Sequence, residues 1–408
     1  MIIGVDIDTT NSNPSTSVVR IGPTGANIAG HQASYTGPAS AGTLFNAFGT
    51  WGNIKRCNLW DDGTATAYYG DRCYTDTDVA NMGQCMVKVP RFLQYVDLSV
   101  ANHIRVYIGD VADARTTITT GGADHVLSAS TDVHPAFKEN SALKNYLYVG
   151  AYEAYNNGGT LESKAGVFPT GNVTPANFRI YANAINADNR WTMMTGQAFA
   201  AFQSLYLVEY KNLSSRAALG NGNSRSSGTP ALLHTGLTGS YGTDRGNASY
   251  GVTSGAAEVL YQSEMSYRGV ENIHGNLYHF LDGITKNADG GANSSTVWIK
   301  DFPPYNDALT GYTNTTAVLP AATKAAWQTA DPTLLGLGYY MPKVDTETAT
   351  STTYWCDYYT TGATGLNRIL MTHGTYNSSA LISGMFACAT HALSADAAAG
   401  TRLQYHEV

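Results

Sequence analysis

Charge is scarce in this chain. Only 13% of its 408 residues are Asp, Glu, Lys or Arg, against 42 glycines and 27 tyrosines. That balance suits a rigid contact surface better than a highly solvated enzyme surface, and tyrosine supplies amphipathic contact area with little rotamer entropy to lose. Basic residues number 24 against 31 acidic ones, for a net charge of -7 without a Lys/Arg cluster. Nucleic acid is excluded as a partner, because binding it needs a basic footprint against the phosphates. No apolar run approaches the roughly 18 residues of a membrane span. MIIGVDIDTT lacks the charged start, apolar stretch and cleavage site of a signal peptide, so the expectation is assembly in a cytoplasm without a membrane partner. The five cysteines (Cys57, Cys73, Cys85, Cys356, Cys388) form no C-x-x-C pair and no even-numbered framework. This predicts free buried thiols, with neither a disulfide scaffold nor a zinc site. No internal repeat of about 20–50 residues is present, which disfavours a solenoid or β-helix shaft.

At about one domain per 150 residues the length allows two or three domains. Ile3, Val5 and Ile7 alternate with Gly4, Asp6 and Asp8, predicting a half-buried strand. A calcium loop from Asp6 and Asp8 is the rival reading, but it lacks the glycine at the sixth loop position. Residues 11–42 are rich in Ser, Thr, Asn, Gly and Pro and read as loops and short strands. Met86–Val89 predicts a strand stopped by Pro90, and residues 146–154 alternate as a sheet strand. Thr174-Pro175 places a capping hydroxyl before a first-turn proline, with Phe178, Tyr181, Ala182 and Ile185 at helical spacing. A second helix is predicted over 196–211, capped by Thr195, with Phe199, Phe202, Leu205 and Val208 on one stripe. Residues 214–228 and 287–295 read as surface loops.

The most informative segment is Met265 to Gly283, MSYRGVENIHGNLYHFLDG. Arg268 and Glu271 flank Gly269, Gly275 lets the chain turn, and an aromatic strand follows, closed by Asp282-Gly283. The segment resembles the "GLYDMHGNVWEW" signature of the formylglycine-generating-enzyme-like branch of the C-type lectin fold, with Glu271, Asn272, His274, Gly275, Asn276 and Leu277 at equivalent places. It resembles still more the "YRGxENxxGNxxxFxDG" form of phage tail-fibre and receptor-binding proteins. Four further blocks keep the family's order: QCMVKVPRF from Gln84; VHPAF from Val133, with YLYVGAYEA from Tyr146; WTMMT from Trp191, with its helix and GNGN from Gly220; and the C-terminal segment from Thr353.

The resemblance implies an α+β, loop-rich C-type-lectin-like domain over 85–408, with short antiparallel strands and two main helices, preceded by a small β-rich attachment or oligomerisation region over 1–84. Arg268, Glu271, Asn272, Gly275, Asn276, Asp282 and Gly283 are expected to be structural, Arg268 pairing with Glu271. In the C-terminal segment Arg368–Met371, Gly384–Ala387 and Gly400–Leu403 are expected strands, around a turn at His373–Tyr376. In members with this ending, residues 353–403 form a recognition face, sometimes diversified by retroelements. That implies outward, ligand-binding positions at Tyr354, Trp355, Asp357, Tyr358, Tyr359, Asn367, Arg368, His373, Tyr376, Asn377 and His391. The alternative for Trp355, Tyr358 and Tyr359 is plain packing.

Catalytic readings find little support. The copper-binding cysteines of the formylglycine-generating enzymes lie a few residues apart, whereas Cys356 and Cys388 are far apart in sequence. His274 and His279 miss the i, i+4 spacing of a helical zinc pair and are expected to make structural hydrogen bonds. No G-x-S-x-G elbow anchors a triad, and nothing in the sequence places Glu153 beside Glu271 as a glycosidase pair. The expected function is therefore a phage virion fibre or receptor-binding protein, localised to the virion and needing no metal or cofactor. Its partners would be a host-surface glycan or protein, other virion proteins and copies of itself, a trimer being favoured. The alternatives are a structural capsid or tail decoration protein without a host ligand, and a formylglycine-generating-type oxidase.

Overall fold

The computed structural model describes residues 1–27, 44–224, 231–242, 246–249, 263–288, 295–343, 350, 352–361, 368–379 and 382–407. The chain is a loop-rich α+β protein whose sheets are mostly antiparallel. Ile3–Asp8 forms the predicted strand, with Ile3, Val5 and Ile7 buried; it lies between Val18–Ile21 and His103–Asp110, and Phe92–Asp97 completes a four-stranded sheet. Asp6 is held by His103 and Arg105 and Asp8 by Thr10, so both carboxylates of the rival calcium loop are engaged within the protein.

The central sheet has six strands in the order Trp191–Met193, Arg402–Tyr405, Tyr146–Glu153, Gln84–Pro90, Lys55–Leu59 and Ala65–Tyr68. Its two faces feed separate cores, as period-2 alternation requires. Val87, Val89, Leu147 and Val149 pack with the helix Gly196–Tyr210, whereas Met86, Tyr148, Leu403 and Tyr405 pack with Trp191, Phe280 and Phe178 of the helix Pro175–Asn183.

Both helices begin as their caps dictate. Thr174 accepts from the Asn177 N–H and Thr195 from the Ala198 N–H. Every other helix among the described residues is shorter than six residues. Gly196–Tyr210 differs from the expected one-sided stripe, because all fifteen of its residues are buried. A helix enclosed on every side needs no polar face. No helix among the described residues is long and apolar enough to cross a membrane.

Several expected boundaries move. The division at 84/85 does not separate the sheets: Ile3–Asp8 pairs with His103–Asp110, and Lys55–Leu59 pairs with Gln84–Pro90. The main core likewise runs from Ile2 to Cys388. Ser215–Leu219 is a helical turn with Ser215 and Leu219 buried, not a surface loop. Residues 287–288 and 295 belong to strands, while 289–294 lie outside the described residues. Gly384–Ala387 is a turn, and the strand follows it at Cys388–Ala392. Four cysteines are buried as expected, but Cys73 is exposed.

Candidate functional site

The strand Tyr278–Ala288 organises the candidate site. It pairs with Arg368–Thr372, which pairs with Cys388–Ala392, which in turn pairs in parallel with Tyr359–Thr360. The segment leading into this strand is wound tightly. Arg268, Gly269, Asn272, Gly275 and Asn276 all have positive φ, between 48 and 88°. A Cβ on Gly275 would lie 2.9 Å from the Asn223 nitrogen, so both conformation and space demand glycine there.

Arg268 and Glu271 do not pair. Ser266–Tyr267 and Val270–Glu271 form a hairpin with Arg268-Gly269 at its tip, which sends the two side chains apart. The Arg268 guanidinium grips Glu209 of the Gly196–Tyr210 helix, Nε to Oε2 at 3.0 Å and a terminal nitrogen to Oε1 at 2.5 Å. Tyr267 donates its hydroxyl to the same carboxylate. Glu271 instead accepts from the N–H groups of Gly236 and Thr238 and from the Thr238 hydroxyl, each at 2.7 Å. Glu271→Ala orphans these donors and should cost at least about 1–3 kcal/mol in chemical denaturation; an unchanged midpoint would show that they find other partners.

The remaining residues of the segment are equally committed. Asn272 accepts from the Met265 N–H, and the Asn276 side chain binds Asn223, Leu233 and Glu153. Glu153 also takes the Leu277 N–H and faces His279 Nε2, both at 3.0 Å. With Glu153 and Glu271 each buried and occupied, neither is open to a glycosidic substrate. His274 faces the Gly220 carbonyl, and burial pushes its imidazole down to about 4. Arg179 grips Asp282, and Gly283 turns with φ 72° where a Cβ would meet the Lys300 carbonyl at 2.8 Å.

The expected outward face divides into two sets. Trp355, Asp357 and Tyr359 are fully buried, which corrects their assignment as ligand contacts. Backbone bridging to Trp327, Lys324 and Cys388 turns these alternate residues inward. Trp355 stacks on Trp327 at 4.6 Å and 5°, the Tyr359 hydroxyl donates to the Pro320 carbonyl, and Asp357 accepts from Ser215 and the Phe386 N–H. Burial pushes the Asp357 carboxyl up to about 6. His373 is also buried, with Nδ1 at 2.9 Å from the Ile382 carbonyl; burial holds its imidazole at about 4. Asn367 lies outside the described residues.

Tyr354, Tyr358, Arg368, Tyr376 and His391 are partly exposed and Asn377 is exposed. Of the expected residues, His373 and Tyr358 gather at Tyr278, which the sequence reading left unassigned. His373 sits between the rings of Tyr278 (4.9 Å) and Tyr358 (5.2 Å). The Tyr278 hydroxyl meets Ser378 Oγ at 2.7 Å, which fixes the Tyr376-Asn377 turn beside it. Next along the strand Phe280 packs on His391, whose Nε2 is 3.1 Å from Asp396. Tyr354 lies elsewhere, its N–H bonded to the Ser12 carbonyl, and Arg368 lies opposite Lys286. The result is a half-exposed aromatic and amide surface on strands anchored to the buried network below.

Burial pushes the thiols of Cys356 and Cys388 up to about 12, leaving little reactive thiolate near neutrality. Among the described residues no group of three or more His, Cys, Asp or Glu is arranged to hold a metal ion.

No protein-family model matches the sequence, and no curated protein matches it significantly. Among solved structures the chain aligns with PvdO from Pseudomonas aeruginosa at 12% identity and a TM-score of 0.29, over 81% of this chain and 97% of that one. A likeness at that level carries no argument about fold or function.

Proposed function

We propose that the protein is a bacteriophage virion fibre or receptor-binding protein whose C-type-lectin-like domain adheres to a host-surface glycan or protein. One observation carries the reading: Tyr278 and Tyr358 flank His373, and Ser378 ties the Tyr376-Asn377 turn to Tyr278, on a sheet anchored by buried hydrogen bonds. Aromatic side chains held in place by a rigid scaffold lose little entropy on binding, and modest affinity at one site multiplies with copy number. Attachment to other virion proteins through the first 84 residues and a trimeric assembly belong to the same proposal. Deeply buried, unreactive thiols at Cys356 and Cys388 favour adhesion over the oxidase alternative.

The test is host-cell adsorption by a Tyr358→Ala/Tyr376→Ala/Asn377→Ala variant. Adsorption should drop at least tenfold while the unfolding transition stays close to the parent's, since surface substitutions typically cost less than about 0.5 kcal/mol each. Normal adsorption would move the contact elsewhere. Tyr359→Ala is the contrasting control: it should destabilise by about 3–5 kcal/mol, as core aromatic truncations do.

A further inference from the structure

A cleft of about 200 Å³ opens where the helix Pro175–Asn183 meets the loop carrying Pro303 and Pro304, and it shares no lining residue with the aromatic face. Its size is below the roughly 300–1,000 Å³ typical of drug-sized ligands and suits a single ring. The charged groups at its base are already satisfied. Arg179 Nε lies 2.8 and 3.1 Å from the two Asp282 oxygens, one terminal nitrogen is 2.7 Å from Asp282, and the other binds Asp307. The guanidinium is therefore not free to capture an anion. Asp282 is fully buried and both its oxygens receive Arg179, so it offers no unpaired charge to a cation.

What remains is neutral. Asn183 uses its side-chain oxygen for the Asn189 N–H, leaving its amide nitrogen available, and Asn189 also lines the cleft. Ile180, 62% exposed, lines the cleft together with Pro303, Pro304 and the buried Trp191. An apolar wall next to uncharged amides matches a molecule with one C–H face and a ring of hydroxyls. A charged occupant would meet no free counter-charge there, because Arg179 and Asp282 engage each other.

We infer that this cleft is a saccharide subsite that takes one neutral pyranose ring, independent of whether the aromatic face contacts the host. Saturation-transfer NMR tests it, with the methyl pyranosides of glucose, galactose, mannose and N-acetylglucosamine as probes and benzamidine and benzoate as charged comparators. At least one pyranoside should receive saturation, and the signal should fall fivefold or more in Asn183→Ala and in Ile180→Arg. The exposure of Ile180 keeps the second variant folded even if the first is destabilised. The Tyr358→Ala/Tyr376→Ala/Asn377→Ala variant should keep the signal. Silence from all four pyranosides, signals indifferent to both cleft variants, preferential binding of a charged comparator, or loss of signal in the aromatic-face variant would each overturn the inference.

Discussion

Glu209→Ala should destabilise the fold by about 3–5 kcal/mol, because it strands a guanidinium in the interior. Arg268 is almost completely buried and Glu209 completely so, and the pair closes through two nitrogen–oxygen contacts. Removing the carboxylate leaves Arg268 with the Asn46 side chain and takes the acceptor from the Tyr267 hydroxyl. A second variant separates charge from packing. Glu209→Leu combined with Arg268→Met replaces both ions by apolar groups of similar size, and such exchanges are often neutral or stabilising. The double variant should therefore recover most of the loss in urea unfolding. If it is as unstable as Glu209→Ala, the helix and the turn at Gly269 are joined by shape and not by charge compensation.

The same contact shows what the sequence could reveal. Arg268 was legible as structural from its place between a strand and Gly269, yet its partner was not. Glu209 is 59 residues away in a helix where the apolar stripe suggested a solvent-facing side, and only the complete enclosure of Gly196–Tyr210 places that carboxylate inside. Caps and strands governed by local rules were readable: Thr174, Thr195 and the alternation of Ile3, Val5 and Ile7 all act within a few residues. The C-terminal face was half readable. The period-2 pattern that turns Trp355, Asp357 and Tyr359 inward is present in the sequence, but a two-residue strand gives too short a run to recognise without its partner at Cys388. Tyr278, by contrast, was hidden in plain view within an aromatic strand, and its role depends on His373 and Ser378 brought in from about a hundred residues away. The cleft beside Arg179 joins segments from three parts of the chain, and no local pattern announces it.

Buried imidazoles should cost the fold stability in mild acid. Burial holds His274 and His373 at about 4 and His134 at about 3, against an ordinary imidazole value of 6.5. Below pH 6.5 the unfolded chain gains a proton on each that the fold refuses, so stability is lost between about pH 6.5 and 4, and for His134 down to about 3. At about 1.4 kcal/mol per pH unit of displacement, His274 and His373 each account for roughly 3 kcal/mol. Buried carboxyls oppose this, Glu271 and Asp282 among them, both pushed up by burial. Asp357, raised to about 6, binds its proton earlier in the fold than in the unfolded chain and returns roughly 3 kcal/mol as pH falls from about 6 to 4. Glu264, buried beside Glu271 and Glu153, is pushed well up and acts in the same direction. The histidine share is a fall in unfolding temperature from pH 7 to pH 4, which the carboxyls offset in part. His373→Asn keeps a donor near the Ile382 carbonyl but cannot titrate, so it should flatten that slope even though losing the ring lowers stability at every pH. Glu264→Gln should behave oppositely, stabilising at pH 7, where the unfolded carboxyl is ionised, with the gain vanishing near pH 4. A slope unchanged by His373→Asn would show that this imidazole, between Tyr278 and Tyr358, already accepts its proton in the folded state.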